Sequence, residues 1–148
     1  MVALMVRRNL HSVKTAIVVS LLAEWMFIAL CSTILFRHTG DIVEMNLKPF
    51  WSYEAVANGE ALYIYENLLN VIFFLPFGFL VGGFRKMRKW WIVLVCALVL
   101  SSSIEASQLI FKKGLCETDD VIHNTLGAMF GYGLLKLLAL SIRKVIKQ

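Results

Sequence analysis

Apolar residues along this chain gather into four long runs, each sufficient for a membrane-crossing helix at about 20 residues per crossing. They lie near Thr15–Phe36, Tyr65–Phe84, Trp90–Phe111 and Val121–Ile142. The second and third runs are joined by the tight turn "RKMRK", the third and fourth by "KKGLCETDD". Only the connection Arg37–Ile64 is long. Most of it, "NLKPFWSYEAVANGEALYIY", is too polar to cross a bilayer and too aromatic for a free linker. That mixture predicts an interfacial segment, lying on the bilayer surface or re-entering over the bundle. The expected architecture is an all-α integral membrane protein. It is a single domain over residues 1–148, a four-transmembrane-helix bundle with this interfacial or re-entrant segment between helices 1 and 2.

Composition agrees with the pattern. Apolar residues make up 59% of the chain and charged residues 17%, and the mean hydropathy is +0.72. There is too little polar surface to coat a water-exposed globule. The net charge of +5 does not point to nucleic acid, because the basic residues flank the apolar runs. Arg7, Arg8, Lys14, Arg85, Lys86, Arg88, Lys89, Lys136, Arg143, Lys144 and Lys147 fall on one side of the bundle, and no acidic residue joins them. The other side holds Asp41, Glu44, Glu54, Glu60, Glu117 and Asp119 with only Arg37, Lys48, Lys112 and Lys113. Positively charged loops stay inside. The expected location is therefore the plasma membrane, multi-pass, with both termini cytoplasmic. The first run is too long for a signal-peptide core and lacks a clear A-x-A site, so it reads as a retained anchor. Cys31, Cys96 and Cys116 are odd in number, have no CxxC spacing and read as small fillers.

This topology brings polar residues of three helices to one level, the extracytoplasmic third of the membrane. Glu66, Asn67 and Asn70 lie at the start of the second span, Glu105 and Gln108 at the end of the third, and Asp120, His123 and Asn124 at the start of the fourth. The pairs Glu66/Asn70, Glu105/Gln108 and Asp120/Asn124 are spaced i, i+3 or i, i+4, so each shares a helix face. Charged groups facing lipid are costly, and these faces should turn inward. Gly78/Gly82 and Gly127/Gly131 have the small-xxx-small spacing that lets helices approach closely. Pro76 removes one backbone donor and frees the carbonyl of Ile72, predicting a kink beneath the polar level.

Several chemistries fit these residues. The plainest is a hydrogen-bond network gluing the helices. The functional alternative is an outward-facing polar pocket for a head group or an ion. A catalytic pair, Glu105 with Asp120, is a further version, since two adjacent buried acids can split into proton donor and base. His123 beside Asp119 and Asp120 lacks a metal-ligand spacing, so neither metal nor cofactor is expected. His11 and His38 read as interfacial residues. Lys112 and Lys113 are either a solvated loop or a greeting for an anionic group. Glu24 pairs within the bundle or with a partner subunit. Ser101, Ser102, Ser103 and Ser107 lie in no nucleophile turn, and no phosphate-binding glycine loop is present.

Three blocks resemble the VanZ-like family of small bacterial membrane proteins: "NLKPF" at Asn46–Phe50, "ENLLNVIFFLPFGFL" at Glu66–Leu80 and "IEASQLIFKKGLCETDDVIHNTLGAMFGY" at Ile104–Tyr132. The resemblance places the family's polar set on Asn46, Pro49, Phe50, Asn67, Asn70, Pro76, Gly78, Glu105, Gln108, Asp120, Asn124 and Gly127. Many members carry an arginine where Lys112 and Lys113 stand here, and the pattern does not require histidine at 123. The resemblance implies low-level resistance to teicoplanin-type glycopeptides in Gram-positive bacteria. Expected partners are the lipid bilayer and a lipoglycopeptide or lipid-linked cell-wall intermediate, with no nucleic acid and the oligomeric state open. Glu105 and Asp120 would accept hydrogen bonds from the ligand. Asn67, Asn70, Gln108 and Asn124 would orient it, and the Asn46–Tyr53 loop would cover the site. The rival readings are an intramembrane hydrolase or transferase using Glu105 and Asp120, and a structural subunit of a cell-envelope complex.

Overall fold

The structure, a computed structural model, describes residues 2–36, 45–84 and 87–146, with side chains from residue 12 onward. Expectations that fall on Arg37, His38, Asp41, Glu44, Arg85, Lys86 and Lys147, and on the side chains of Arg7, Arg8 and His11, lie outside the described residues. Among the described residues five α-helices follow one another: α1 (Val2–Leu30), α2 (Trp51–Ala57), α3 (Leu62–Gly83), α4 (Trp90–Phe111) and α5 (Thr118–Ile146). A π-helical turn, Cys31–Leu35, extends α1. Two short strands, β1 (Met45–Asn46) and β2 (Cys116–Glu117), pair in parallel, Met45 opposite Cys116 and Asn46 opposite Glu117.

Among the described residues four helices are long and apolar enough to cross a membrane: Ser12–Leu35, Leu62–Gly83, Trp90–Phe111 and Thr118–Ile146. They match the four apolar runs, the second and fourth starting three residues earlier than the hydrophobicity suggests. Asp119 and Asp120 occupy the first turn of α5 and Arg143 and Lys144 its last, each charge facing the end of the helix dipole that favours it. Helix α4 stops where Lys112 turns left-handed, followed by Gly114 at φ +115°.

The centre of the molecule is the contact between α3 and α5. A methyl group built on Gly78 would overlap the carbonyl of Ala128. One on Gly127 would overlap that of Val71, and one on Gly131 that of Leu75. The two backbones therefore touch, as the small-residue spacing predicts, and α3 remains helical through Pro76. Helix α1 docks on α3 through Trp25. Its ring lies 5.2–5.3 Å from those of Phe73, Phe74 and Phe77, and its indole N–H donates to Phe73 O at 2.9 Å. At the end where α3 turns into α4, Tyr132 Oη and Lys136 Nζ both donate to Arg88 O. The opposite end, carrying α2 and the paired strands, is the capped end.

Candidate functional site at the capped end

Asp119 organises this end. It is fully buried in the first turn of α5 and reaches across to the start of α2. Its Oδ1 accepts from Phe50 N at 2.5 Å, and its Oδ2 accepts from Ser52 N at 3.0 Å and Ser52 Oγ at 2.5 Å. The first amides of a helix have no partner within it. Here a carboxylate from another helix takes that role, adding charge to the bonds. It also holds Phe50 in a left-handed conformation, φ 63°, which costs a non-glycine residue about 1–3 kcal/mol.

The remaining polar side chains extend this clamp. Asn67 Nδ2 donates to Ser52 Oγ at 3.0 Å, tying α3 to α2. His123 Nδ1 lies 2.7 Å from the carbonyl of Asp119, which can only accept, so the ring proton belongs on Nδ1. Nε2 is then left to accept from Tyr53 Oη at 2.8 Å. Trp51 Nε1 donates to Glu117 Oε2 at 3.2 Å. Glu105 Oε2 accepts from Glu117 N at 2.9 Å and so fixes β2 to α4.

Deeper along the helices, Asn70 Nδ2 donates to Asp120 Oδ1 at 2.7 Å and Asn124 Nδ2 to Ser101 Oγ at 2.9 Å. Gln108 Nε2 donates to Thr33 O in the π-helical turn at 3.3 Å. Gln108 Oε1, Asn124 Oδ1 and Thr125 Oγ1 are buried with no hydrogen-bond partner among the described residues.

The sequence-derived set is thus gathered at one end but divided among different tasks. Glu105 serves a strand amide and Asp120 a side-chain amide of α3. Glu66 stays exposed. Asn46 Oδ1 accepts from Lys48 N at 3.2 Å within its own loop. Among the described residues no group of three or more His, Cys, Asp or Glu is placed to hold a metal ion. Sequence reasoning met Asp119 only as a neighbour of His123, and Ser52 and Tyr53 only as part of the covering Asn46–Tyr53 loop, and gave none of the three a role of its own. A signal existed for the first: Asp119 and His123 are spaced i, i+4, the same rule that selected Asp120 with Asn124.

Beside this network lies a cavity of about 750 Å³, within the usual range of small-molecule sites, roughly 300–1,000 Å³. Phe36, Leu69, Ile72 and Phe73 form its apolar wall, and Ser32, Thr33 and Asn70 supply its polar groups.

The family model VanZ/LLP1 matches residues 17–139, which takes in the second and third spans, most of the first and fourth, and the whole capped end. The chain belongs to the VanZ/LLP1 family. It is similar to Protein VanZ of Enterococcus faecium, 38% identical over 93 residues, which cover 61% of this chain and 53% of that protein. The chain therefore spans about half the length of that relative. No solved structure matches it significantly.

In this VanZ/LLP1-family chain the carboxylates crowd one another. Burial, and then the charge of Asp120, push the Glu117 carboxyl up to about 7; Glu66 and Asp119 add to this, and the Trp51 bond opposes it. The Cys116 thiol is likewise raised, by burial first and then by Glu105, Asp120 and Glu117. A carboxyl held above its ordinary value of 4.5 binds its proton more tightly folded than unfolded. The stability it contributes is full below about 4.5 and is lost as pH rises through about 7. Thermal unfolding in detergent should therefore show Glu117→Gln losing less stability than the wild type between about pH 5 and pH 8. Parallel pH profiles would contradict the assignment.

Proposed function

We propose that this chain acts as a VanZ-like resistance factor against teicoplanin-type lipoglycopeptides, with its capped end facing outward from the plasma membrane and both termini in the cytoplasm. The observation that carries the reading is the cavity with Asn70 on its wall. An apolar space for hydrocarbon there meets an amide already bonded to Asp120, at the edge of a cluster of carboxylates. An amphiphile in the outer leaflet, either the lipoglycopeptide itself or a lipid-linked cell-wall intermediate, matches both halves. Its acyl chain enters between the end of α1 and α3, and its amide or amine donors meet the carboxylates. The interfacial segment, α2 with β1, covers the polar network from the water side. Segregation of charge supports the orientation. Among the described residues Lys14, Arg88, Lys89, Lys136, Arg143 and Lys144 lie toward the opposite end, against Lys48, Lys112 and Lys113 at the capped end, an excess in the sense of the positive-inside rule.

Expressed in a sensitive Gram-positive host, Asn70→Ala and Asp120→Ala should lose teicoplanin resistance at unchanged membrane abundance. Resistance equal to wild type in both would remove this site. Orientation is read in the same strains. Cys116 is buried and a poor reporter, so a cysteine at exposed Glu60, in a Cys116→Ser background, should react with an impermeant maleimide in intact cells. Reaction only after lysis would reverse the topology.

A further inference from the structure

Glu24 lies outside the polar network. It is twelve residues beyond Ser12 and eleven before Leu35 in the first span, about 16–18 Å from either end at 1.5 Å per residue. Its side chain is exposed, and the described residues give it no hydrogen bond or ion pair. A glutamate at that depth is too short to snorkel to either interface, and an ionisable group facing hydrocarbon is costly. The side of α1 that meets the bundle is set by Leu22, Trp25 and Ala29; Glu24 projects from the other side.

The residues sharing that outward side form a regular seam. Val13, Ile17, Ser20, Glu24, Phe27 and Cys31 follow one another at steps of 4, 3, 4, 3 and 4. All are exposed except Cys31, which is partly so. Alternating steps of 4 and 3 average 3.5 residues, the spacing at which two helices stay in contact along a left-handed crossing. A polar side chain within such a seam sets register and partner number, and Glu24 is the one carboxyl group among these six. Ser20, one turn from Glu24, and the flanking Ala16 and Ala23 are small enough for close approach.

We infer that α1 pairs in parallel with α1 of a second copy of this chain along Val13–Cys31, the two Glu24 carboxyl groups hydrogen-bonded to each other at mid-membrane. The seam argues for a second copy over a foreign helix. A two-fold axis along the bilayer normal brings each seam residue to its own counterpart at the same depth. Facing carboxyl groups are self-complementary, one giving a proton and the other accepting it. Helices α3 and α4 contain no Lys or Arg, and Lys136 of α5 is held at Arg88 O by the α3–α4 turn, so a salt bridge from another face of the same chain is not available at that level.

The test is disulfide formation in native membranes by the full chain in a cysteine-free background. Ser20→Cys or Phe27→Cys should cross-link to a homodimer, and Val19→Cys, exposed but off the seam, should not. Adding Glu24→Leu to the seam variants should reduce cross-linking at least tenfold, whereas Glu24→Gln, which still donates and accepts, should largely preserve it. Three results would overturn the pairing: equal cross-linking on and off the seam, seam cross-linking unaffected by Glu24→Leu, or co-purification of a stoichiometric different polypeptide bound to α1. None of these readouts depends on resistance or on the capped end.

Discussion

Replacing Gly127 by leucine is expected to remove the folded protein from the membrane, the largest effect of any single change considered. Its Cα faces the carbonyl of Val71, and even a methyl group would overlap that backbone. Side-chain obstacles can change rotamer, but here the obstacle is the main chain of α3. Overpacking by a few methylenes costs about 1–3 kcal/mol where side chains can yield, and a backbone that must move as a helix sets the cost above that range. The same holds for Gly78 against Ala128 and Gly131 against Leu75. Gly133, on the same helix, is the control. Nothing lies within 4 Å of a methyl group there, so Gly133→Leu should stay within about 0.5 kcal/mol of wild type or gain slightly from helix propensity. Membrane abundance and the unfolding midpoint in detergent should separate the two variants. Equal behaviour would contradict the direct contact of α3 with α5.

Asp119→Ala should release α2 while leaving the four long helices together. Removing the carboxylate leaves Phe50 N, Ser52 N and Ser52 Oγ without their acceptor, at about 1–3 kcal/mol for each donor that stays buried. The left-handed Phe50 also loses what holds it. The chain avoids that accumulated cost by letting residues 50–58 come away into solvent. Hydrogen exchange should then be fast across α2 and unchanged through α3 and α5. Asp119→Asn, which keeps one oxygen as acceptor, should give a milder release. Slow exchange in α2 of the alanine variant would show that other contacts carry it. If the resistance proposed above needs the cover, the variant loses that as well, and Asn70→Ala and Asp120→Ala lose it with α2 still in place.

The two predictions show how unevenly the structure was legible beforehand. The glycines were readable as a pattern, but spacing alone does not name the opposing helix. Pairing α3 with α5, instead of with its sequence neighbour α4, rests on matched grooves in helices some fifty residues apart. The polar level was readable too, because Asn70, Glu105, Asp120 and Asn124 each fall near the same end of their spans. Their roles were not. Glu105 and Asp120, open to reading as network members, ligand acceptors or a catalytic pair, accept from Glu117 N and Asn70 Nδ2, and Glu66 stays exposed.

Hydropathy and charge settled by themselves how many apolar spans exist, where they run and which ends share the carboxylates. These are sums over about twenty neighbouring residues, and each residue contributes whatever its distant contacts. Which carboxylate does what was left to the tertiary structure. Asp119 and Asp120 are consecutive and identical in chemistry, but one step of an α-helix turns a side chain by about 100°. One therefore meets the start of α2, 67 residues away in sequence, and the other meets Asn70. A partner that distant is supplied only by the fold.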